Sequence, residues 1–367
     1  MRNPFAGSYF FTLLITAACI LKCPAQSVSE FRVVGYYCGT TIPIDSFETG
    51  KLTHLIFSFG GLEKNRFTIR SAVDSATIKS MVHLKKNNPG LKVMLSLGGW
   101  GGCATCSDVF STPEARREFA QSVKEVTNYF KTDGIDLDWE YPAIQGYPGH
   151  TFHPNDRNNF TEVTKELREA NGKNFQISFA AGGFTSYIDS SIEWKEIIKY
   201  IDFINIMSYD LVHGYSVVSG HHTPLYSSSN QIESTAHAVE MLIKAGVPAN
   251  KLVIGAAFYG RFFKIEEGHP VDLYQPCKFS HGFSYKYNND SLSLSNGFEK
   301  YWDEVAQAPY AINEKRRLLA TWDDEKSIRL KTEYAKKKNL GGIMFWQLYD
   351  DSFRNGLLDV IYKASKQ

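Results

Sequence analysis

The sequence predicts a (β/α)8 barrel with a small α+β insertion between its seventh and eighth strands. Eight short runs of apolar and β-branched residues recur along the chain, and helical patterns separate them. One long interval near the C-terminus interrupts this rhythm. Strands that alternate with helices favour a parallel sheet, and eight such units are typical of a closed barrel.

The eight predicted strands are short and apolar along nearly their whole length. Such runs, without clean alternation, are typical of parallel strands whose outer face is covered by helices. The predicted strands are Phe31–Tyr37, Thr53–Phe59, Leu91–Leu97, Gly134–Glu140, Phe175–Ala181, Ile201–Tyr209, Lys251–Phe258 and Gly342–Gln347.

Amphipathic stretches with helical spacing stand between the strands. The clearest are Thr77–Asn87, Pro113–Phe130, Asp156–Ala170 and Ile232–Ala245. The interval after the seventh strand is too long for one helix, and it carries Tyr, Phe, Asn and Ser in short blocks. We predict that residues 262–318 form the insertion on the active face, so that the barrel comprises residues 31–261 and 319–367.

The N-terminal segment has the pattern of a secretion signal. Arg2 precedes an apolar run from Tyr9 to Leu21, and small residues surround Ala25. This run is too short to span a bilayer comfortably, so we predict cleavage after Ala25 and a secreted, extracellular or periplasmic protein with one domain over residues 26–367. Lipid attachment at Cys19 and a retained anchor are the alternatives. No later run predicts a membrane span.

The charge balance excludes partners that depend on a strong global field. The 40 basic and 39 acidic residues leave a net charge of +1. Such a chain is not expected to hold nucleic acid or an anionic membrane surface. Aromatic residues make up 14% of the chain, which suits stacking on flat apolar ligands as well as a large core. We expect a monomer.

The cysteines favour one small disulfide over a metal or redox site, and four cysteines leave three connectivities open. Processing after Ala25 would leave Cys38, Cys103, Cys106 and Cys277. A disulfide between Cys103 and Cys106 would close a glycine-rich loop, whereas a zinc site would need a second cysteine pair that the sequence lacks. The adjacent His221 and His222 are poorly placed for one ion, because neighbouring side chains rarely point at the same atom. No cofactor is predicted.

The fourth predicted strand, Gly134–Glu140, carries acidic residues at alternate positions. Period-two geometry places one set of side chains on one face and the intervening set on the other. The inward set is Asp136, Asp138 and Glu140, and the outward set is Ile135, Leu137 and Trp139. Glu140 then lies at the carboxyl end, where barrel enzymes hold their active sites. Asp133 has the other parity, and we expect a structural role for it at the strand entrance.

Crowded carboxylates predict a general acid. Alternate residues on a strand stand roughly 6–7 Å apart, and two negative charges at that distance repel by about 2.5 kcal/mol at an effective dielectric constant of about 20. Repulsion of that size raises one pKa by nearly two units and keeps one carboxyl protonated near neutral pH. A metal site or a row of salt-bridged acids is the alternative. The other strand ends offer mainly Tyr, Trp, Ser and Met, with Arg261 as the only base.

The run DGIDLDWE has the form DxxDxDxE and resembles glycoside hydrolase family 18, the chitinases and their relatives. Four further motifs resemble that family in the proper order: Ser96-Leu97-Gly98-Gly99-Trp100, Met207-Ser208-Tyr209-Asp210, Phe258-Tyr259-Gly260-Arg261 and Gly342-Ile343-Met344-Phe345-Trp346. The likeness spans nearly the whole chain after residue 25. It implies the same barrel, with an insertion that walls the substrate groove.

The resemblance implies a retaining mechanism in which the substrate's own acetamido group is the nucleophile. Glu140 would protonate the glycosidic oxygen, and Asp138 would orient the acetamido N–H. Tyr209 would bind the acetamido carbonyl. Asp136 would share a proton with Asp138. Tyr36 and Ser96 match the family's residues whose hydroxyls support that aspartate.

The resemblance also implies which residues grip the sugar. Trp346 would form the floor under the distorted ring, and Trp100 would stack on a sugar further along the groove. For both tryptophans, ordinary packing is the alternative. The other candidates are Asp210 and Arg261 on sugar hydroxyls, and Tyr141, Met207 and Tyr259 along the pocket wall. An Asp210–Arg261 salt bridge or a core role for Met207 would explain those residues without a ligand. Trp194 and Trp302 are predicted to pack, and Trp322 is undecided.

Three other functions share these motifs. A chitin-binding lectin on the same barrel would typically lack the acid at the position of Glu140, which this chain keeps. An endo-β-N-acetylglucosaminidase for N-glycans and a peptidoglycan hydrolase would both keep the acidic strand. We therefore expect chitin or N-acetylglucosamine oligosaccharides as the partner, with these alternatives open.

Overall fold

The computed structural model describes residues 31–39 and 43–367. The predicted signal segment, with Cys19 and Ala25, lies outside the described residues. The strands are β1 (Arg32–Tyr37), β2 (His54–Glu63), β3 (Arg66–Thr68), β4 (Lys92–Gly98), β5 (Gly134–Asp138), β6 (Gln176–Gly182), β7 (Phe203–Met207), β8 (Leu252–Ala257), β9 (Tyr259–Ile265), β10 (Cys277–Ser284), β11 (Glu299–Asp303), β12 (Ala308–Asn313), β13 (Leu318–Trp322) and β14 (Gly342–Trp346).

The α-helices lie mainly between the barrel strands. They are α1 (Ala72–His83), α2 (Cys106–Phe110), α3 (Pro113–Phe130), α4 (Asp156–Asn171), α5 (Thr185–Ser190), α6 (Trp194–Ile197), α7 (Thr235–Lys244), α8 (Asn288–Ser291), α9 (Glu325–Lys337) and α10 (Leu357–Lys366). Short 3-10 turns complete several of the connections.

Eight parallel strands close into a barrel, as the sequence predicts. Their order around the barrel is β1, β2, β4, β5, β6, β7, β8 and β14, and β14 pairs with β1. The short strand β3 adds an antiparallel edge to β2. Parallel strands joined by helices leave all their carboxyl ends at one rim, which is where side chains from distant parts of the sequence can meet.

The side-chain alternation predicted for β5 is present. Trp139 faces the helices and packs against Phe110 and Phe160, with ring centroids 5.6 and 5.9 Å away. Asp136 and Asp138 face the barrel axis and are buried. The strand itself ends at Asp138, two residues before the predicted end, so Glu140 stands in the loop just beyond the sheet.

The base of the barrel is filled with apolar side chains. A buried cluster occupies the axis below the carboxylates: Val34, Ile56, Met94, Phe203, Val253 and Met344. A packed base closes the barrel to solvent from beneath. The polar side chains therefore open only toward the rim at the carboxyl ends of the strands.

A second, antiparallel sheet stands between the seventh and eighth barrel strands. Its order is β10, β9, β13, β12 and β11. Strand β9 begins two residues after β8, so the sheet extends beyond residues 262 and 318 at both ends. Trp322, which the sequence left undecided, is 2% exposed and packs with Phe262 and Phe298 in the core of this sheet.

Helix boundaries follow their capping residues. Pro113–Phe130 is a helix with the predicted bounds, and Thr112 caps it by accepting from Ala115 N. The first helix begins at Ala72, five residues before the predicted start, because Ser71 accepts a hydrogen bond from Asp74 N. Capping oxygens satisfy amides that the first turn leaves without partners, which fixes the start.

Three residues for which the sequence predicts a structural role make contacts that fit that role. Asp133 accepts from Lys85 Nζ at 2.7 Å and from Val93 N at 2.8 Å, at the entrance to β5. Trp194 is buried and donates to Ile188 O. Trp302 lies in β11, with the ammonium of Lys326 3.7 Å from its ring centroid.

The cysteines and the helices give two further findings. Cys103 and Cys106 form a disulfide, while Cys38 is exposed and Cys277 is buried, both as free thiols. Over residues 31–39 and 43–367, no helix combines the length and apolar character that a membrane crossing requires.

Candidate active site

The predicted site residues meet at the carboxyl rim of the barrel. Each one lies in the last three residues of a barrel strand or just beyond that strand. The set is Tyr36, Ser96, Trp100, Asp136, Asp138, Glu140, Tyr141, Met207, Tyr209, Asp210, Tyr259, Arg261 and Trp346. Side chains from five motifs that are separated by up to 250 residues of sequence thus lie at one rim.

Asp136 lies at the bottom of this site and is fully hydrogen-bonded. Its Oδ2 accepts from Tyr36 Oη at 3.0 Å and from Ser96 Oγ at 2.8 Å. Its Oδ1 accepts from Ser178 Oγ at 2.6 Å and from Asn205 Nδ2 at 3.2 Å. Burial raises the pKa of Asp136, and these four donors act in the opposite direction because they stabilise the charged form.

Asp138 and Glu140 stand above Asp136 with raised pKa values. Burial, followed by the charges of Glu140 and Asp136, raises the pKa of Asp138 well above its usual range. Burial raises the pKa of Glu140 to about 7, opposed by a hydrogen bond from Tyr141 and assisted by the charge of Asp210. Repulsion between alternate carboxylates therefore contributes as the sequence suggested, but loss of water is the larger cause.

Tyr209 is seated against the backbone of β8. Its ring lies 6.1 Å from that of Tyr259, and its hydroxyl lies 3.8 Å from Met344 Sδ. Gly255 makes this position possible, because a Cβ at Gly255 would stand 2.9 Å from Tyr209 Cε1 and 2.4 Å from Ile206 O. The phenol is thereby directed toward the carboxylates of β5, whose charges raise its pKa in addition to burial.

Asp210 forms a two-armed ion pair with Arg261. Arg261 Nη2 donates to Asp210 Oδ2 at 2.5 Å, and Arg261 Nε donates to Asp210 Oδ1. His222 Nδ1 lies 3.6 Å from the same carboxylate. Burial alone would raise the pKa of Asp210, but its contacts with His222 and Arg261 hold it well below its usual range. Asp210 is therefore a fixed negative charge beside Glu140.

An aromatic surface lies across the open end of the barrel. Trp346 stacks on Phe59 with centroids 5.5 Å apart and an interplanar angle of 15°, and it contacts Tyr36 at 5.8 Å. Met207 and Tyr209 pack on the same apolar cluster. This arrangement gives the rim an apolar aromatic surface beside the carboxylates, which we call the floor.

Trp100 projects from the rim at some distance from the floor. It is 48% exposed, and its ring lies near Tyr141, Tyr147 and Tyr215, at centroid distances of 6.4, 5.5 and 6.4 Å. These rings come from the loops after β4, β5 and β7. The groove therefore has a second aromatic patch, formed by Trp100, Tyr147 and Tyr215.

The two adjacent histidines point to different acids. His221 Nε2 lies 3.1 Å from Asp303 Oδ2, while His222 faces Asp210. Within the described part of the chain, no group of three His, Cys, Asp or Glu side chains is arranged to hold a metal ion.

Sequence reasoning missed several residues of the site. The missed residues are Phe59, Tyr147, Ser178, Asn205, Tyr215 and His222. Ser178 and Asn205 are polar residues among the apolar residues of β6 and β7, and the β5–β6 register places Ser178 directly beside Asp136. That signal could have found them, since an inward polar side chain in a barrel needs a partner. The loop aromatics carry no comparable signal.

The chain is similar to proteins of one family over most of its length. The model of the family described as Glycosyl hydrolases family 18 matches residues 32–351. Chitinase A1 of Niallia circulans is 33% identical over 315 residues, which are 79% of this chain and 44% of that relative. The chain thus spans less than half the length of that relative.

Solved structures give the same result. A family 18 N-acetylglucosaminidase from Paenibacillus barengoltzii has a TM-score of 0.82 and 33% identity, over 91% of this chain and all of that one. Chitinase ChiW from Paenibacillus sp. str. FPU-7 has a TM-score of 0.81 and 32% identity, over 92% of this chain and 43% of that one. With its barrel, its acidic fourth barrel strand and these matches, the chain belongs to glycoside hydrolase family 18.

Proposed function

We propose that this protein is a chitinase that hydrolyses β-1,4 bonds between N-acetylglucosamine units, with Glu140 as acid and base. The observation that carries this proposal is a partly exposed Glu140 whose pKa is about 7, next to a buried Asp138 and above the Trp346 floor. A carboxyl with that pKa is half protonated near neutral pH and can give up and regain a proton.

In the first step, Glu140 donates its proton to the glycosidic oxygen. The carbonyl oxygen of the substrate's 2-acetamido group attacks the anomeric carbon as the bond to the leaving sugar breaks. The product is an oxazolinium ion and a shortened sugar chain. Because the nucleophile belongs to the substrate, the protein supplies no second carboxylate at bonding distance, unlike the common two-carboxylate glycosidases.

In the second step, water attacks the anomeric carbon from the face that the leaving sugar vacated. The Glu140 carboxylate accepts the proton of this water, and the oxazolinium ring opens to restore the acetamido group. Two inversions at the same carbon give net retention of the β configuration.

Asp138 and Tyr209 would act on the acetamido group. Asp138 has an Oδ1 that is buried and has no hydrogen-bond partner among the described residues, so it is available to accept from the acetamido N–H. Tyr209 would donate to the carbonyl oxygen. Asp136, held by its four donors, would exchange a proton with Asp138 as positive charge develops on the ring.

The sugar chain would be bound by the aromatic surfaces and the ion pair. The floor of Trp346 and Phe59 suits the ring that reacts, and Trp100 suits a neighbouring sugar. Asp210 is 35% exposed in its side chain, so its carboxylate can also accept from a sugar hydroxyl while paired with Arg261. Tyr141, Met207 and Tyr259 would line the wall.

The names of the relatives favour N-acetylglucosamine polymers as substrate. One similar protein is named a chitinase and another an N-acetylglucosaminidase. Each name implies a sugar with a 2-acetamido group. An endo-β-N-acetylglucosaminidase for N-glycans, a peptidoglycan hydrolase and a non-catalytic chitin-binding lectin would use the same groove, and the experiment must separate them.

The test compares the wild type with Glu140→Gln on an aryl di-N-acetylchitobioside, a chitin oligosaccharide, a high-mannose glycopeptide and peptidoglycan. We expect cleavage of the first two, with a loss of about 10²- to 10⁴-fold in kcat for the variant. Glu114→Gln on α3, with a side chain 78% exposed, is the matched control and should keep full activity.

The outcomes separate the candidate functions. Cleavage confined to the glycopeptide or to peptidoglycan would replace the proposed substrate, and the lengths of the products would distinguish end-acting from internal cleavage. Binding of chitin oligosaccharides without any turnover would identify a lectin. We also propose that the protein is secreted after cleavage at Ala25, which sequencing of the mature N-terminus would test.

A further inference from the structure

Lys331 and Asp323 form a completely buried ion pair behind the site. Lys331 Nζ donates to Asp323 Oδ1 at 2.8 Å and to Oδ2 at 2.7 Å, and both side chains are 0% exposed. Lys331 belongs to α9, and Asp323 directly follows β13 of the second sheet. Neither residue has a role in the proposed reaction.

Burial of such a pair needs a reason other than stability. Removal of two charges from water is unfavourable, and apolar residues of the same volume often serve stability equally well. Burial lowers the pKa of Lys331, while the charge of Asp323 opposes this effect. The additional contacts of the pair indicate what it does.

The pair is the centre of a hydrogen-bond network that joins three segments. Asp323 Oδ2 accepts from Ala257 N of β8 at 3.0 Å, and Asp323 Oδ1 accepts from Ser327 Oγ at 2.7 Å. Lys331 Nζ also donates to the carbonyl oxygen of Thr223 at 2.8 Å and to its hydroxyl. Thr223, in the long connection after β7, is thus fixed to the barrel and to the second sheet.

Thr223 in turn holds the residue that precedes Tyr209. Its hydroxyl has one proton and two acceptors within hydrogen-bond distance, Ser208 O at 3.2 Å and Asp323 Oδ2 at 3.1 Å. Ser208 Oγ donates to Gly255 O and accepts from Gly255 N, both at 3.0 Å, so Ser208 is tied to β8 as well. Gly255 is the residue against which the ring of Tyr209 rests.

The neighbouring residue, His222, holds the other side of Asp210. Leu211 N donates to His222 O at 3.0 Å, and His222 N donates to Thr321 Oγ1 of β13 at 3.1 Å. The segment His222-Thr223 therefore holds the residues on either side of Tyr209 and Asp210. Thr223 contacts Ser208, and His222 accepts from Leu211. Asp210 has a φ of 55°, a left-handed conformation that Asp adopts more readily than most non-glycine residues, and the contacts of this segment hold it there.

We propose that Lys331 and Asp323 are positioning residues, which hold Thr223 so that Tyr209 and Asp210 keep their places beside Glu140. This inference rests on the proposed function of the same site. A misplacement of about 1 Å in a reacting group can lower a rate by about 100-fold, so a remote network can matter for kcat. Because Asp210 helps to raise the pKa of Glu140, its displacement also has an electrostatic signature.

The test uses two variants and one control. Thr223→Val removes the hydroxyl at nearly constant volume, and Asp323→Asn/Lys331→Met removes both charges together. The control is Asp202→Asn, which breaks the ion pair with Arg168 at the opposite end of the barrel, where N and O stand 2.7 Å apart. For each protein, kcat and KM are measured on the aryl chitobioside. The pKa of Glu140 is measured by carbon NMR of glutamate-labelled protein, with Glu140→Gln to assign the signal.

We expect Thr223→Val and the double variant to lose about 10- to 100-fold in kcat with little change in KM, and to titrate Glu140 at lower pH than the wild type. Asp202→Asn should keep the wild-type kcat and Glu140 pKa. The inference is overturned if both network variants fold and keep the wild-type values. If the wild type is inactive on every sugar, the proposed function fails, and the NMR titration still decides the inference because it needs no turnover. Thr223→Val, which keeps both charges paired, decides it if the double variant does not fold.

Discussion

Asp136 accepts four hydrogen bonds, whereas Oδ1 of Asp138, two residues along the same inward face of β5, accepts none from any residue that the structure describes. Hydrogen bonds to a carboxylate favour its charged form, and burial without them favours the neutral form. Burial raises the pKa of both carboxyls, and hydrogen bonds oppose that rise only at Asp136.

This difference predicts unequal losses of stability for two similar substitutions. Asp136→Asn places an amide N–H₂ against donors and leaves buried hydroxyl or amide groups unpaired, so the free energy of unfolding should fall by about 2 kcal/mol. Asp138→Asn breaks no hydrogen bond at Oδ1 and should change the free energy of unfolding by less than about 1 kcal/mol, while kcat falls sharply. Denaturant unfolding with kcat measured in parallel checks both. Equal stability losses would show that the two carboxyls do not differ.

Gly255 should be intolerant of a side chain because of Tyr209. The added methyl of Gly255→Ala would stand within 3 Å of Tyr209 Cε1 and of Ile206 O, which forces the ring or the strand to move. Overpacking of this kind costs about 1–3 kcal/mol, and kcat should fall as the phenol shifts. Gly50→Ala is the control, since a Cβ there meets nothing within 4 Å. A normal kcat for Gly255→Ala would show that the position of Tyr209 is not critical.

The pH dependence of the reaction should report Glu140. Its pKa of about 7 means that the acid form is present below pH 7 and is lost as the pH rises through 7, so kcat/KM should fall on the alkaline side of that value. Asp210→Asn removes a negative charge that helps to raise this pKa, and the alkaline limb should move to lower pH. Rate profiles of both proteins test this. A limb that stays in place in Asp210→Asn would remove Asp210 from the electrostatics of Glu140.

His54, at the closed end of the barrel, should make the fold sensitive to acid. Burial, with the charges of Arg32 and Lys92, lowers the pKa of His54 to about 3 in the folded protein. The unfolded chain binds a proton there below about pH 6.5, so the free energy of unfolding falls as the pH decreases from 6.5 toward 3. The free energy of unfolding of His54→Gln, taken relative to that of the wild type, should rise by about 2–3 kcal/mol when the pH is lowered from 7 to 4.5. Denaturant unfolding at the two pH values measures this difference.

The control for His54 is His281→Gln, an exposed histidine on β10. It should show the same difference from the wild type at both pH values. If His54→Gln also shows no change between pH 7 and pH 4.5, then the buried ring is not the source of the acid sensitivity.

The fold and the acidic strand could be predicted from the sequence because both produce local patterns of apolar and polar residues. Apolar runs separated by amphipathic helices identify a parallel barrel, and the period of two in Asp136, Asp138 and Glu140 assigns their face. The pattern does not predict where β5 ends. Alternation continues through Trp139 although the strand pairing stops at Asp138, so the pattern alone overstates the strand.

The remaining site residues depend on contacts that no local pattern encodes. His222 reaches Asp210 only because the connection after β7 returns beside β13. Tyr147 and Tyr215 lie near Trp100 because three loops converge at one rim. The sequence allows Trp322 either to pack in the core or to face the substrate. Because β13 pairs with β9, its side chain lies in the core of the second sheet.

In the proposed reaction the acetamido oxygen of the substrate is the nucleophile. A series of aryl chitobiosides with zero to three fluorines on the acetamido methyl of the reacting sugar tests this directly. Fluorine withdraws electrons from the carbonyl oxygen and weakens it as a nucleophile. With the acetamido oxygen as nucleophile, kcat/KM should fall with each fluorine, by at least about tenfold over the series, which is about 1.4 kcal/mol in activation free energy. A rate that does not change with fluorination would contradict it and would require a nucleophile from the protein.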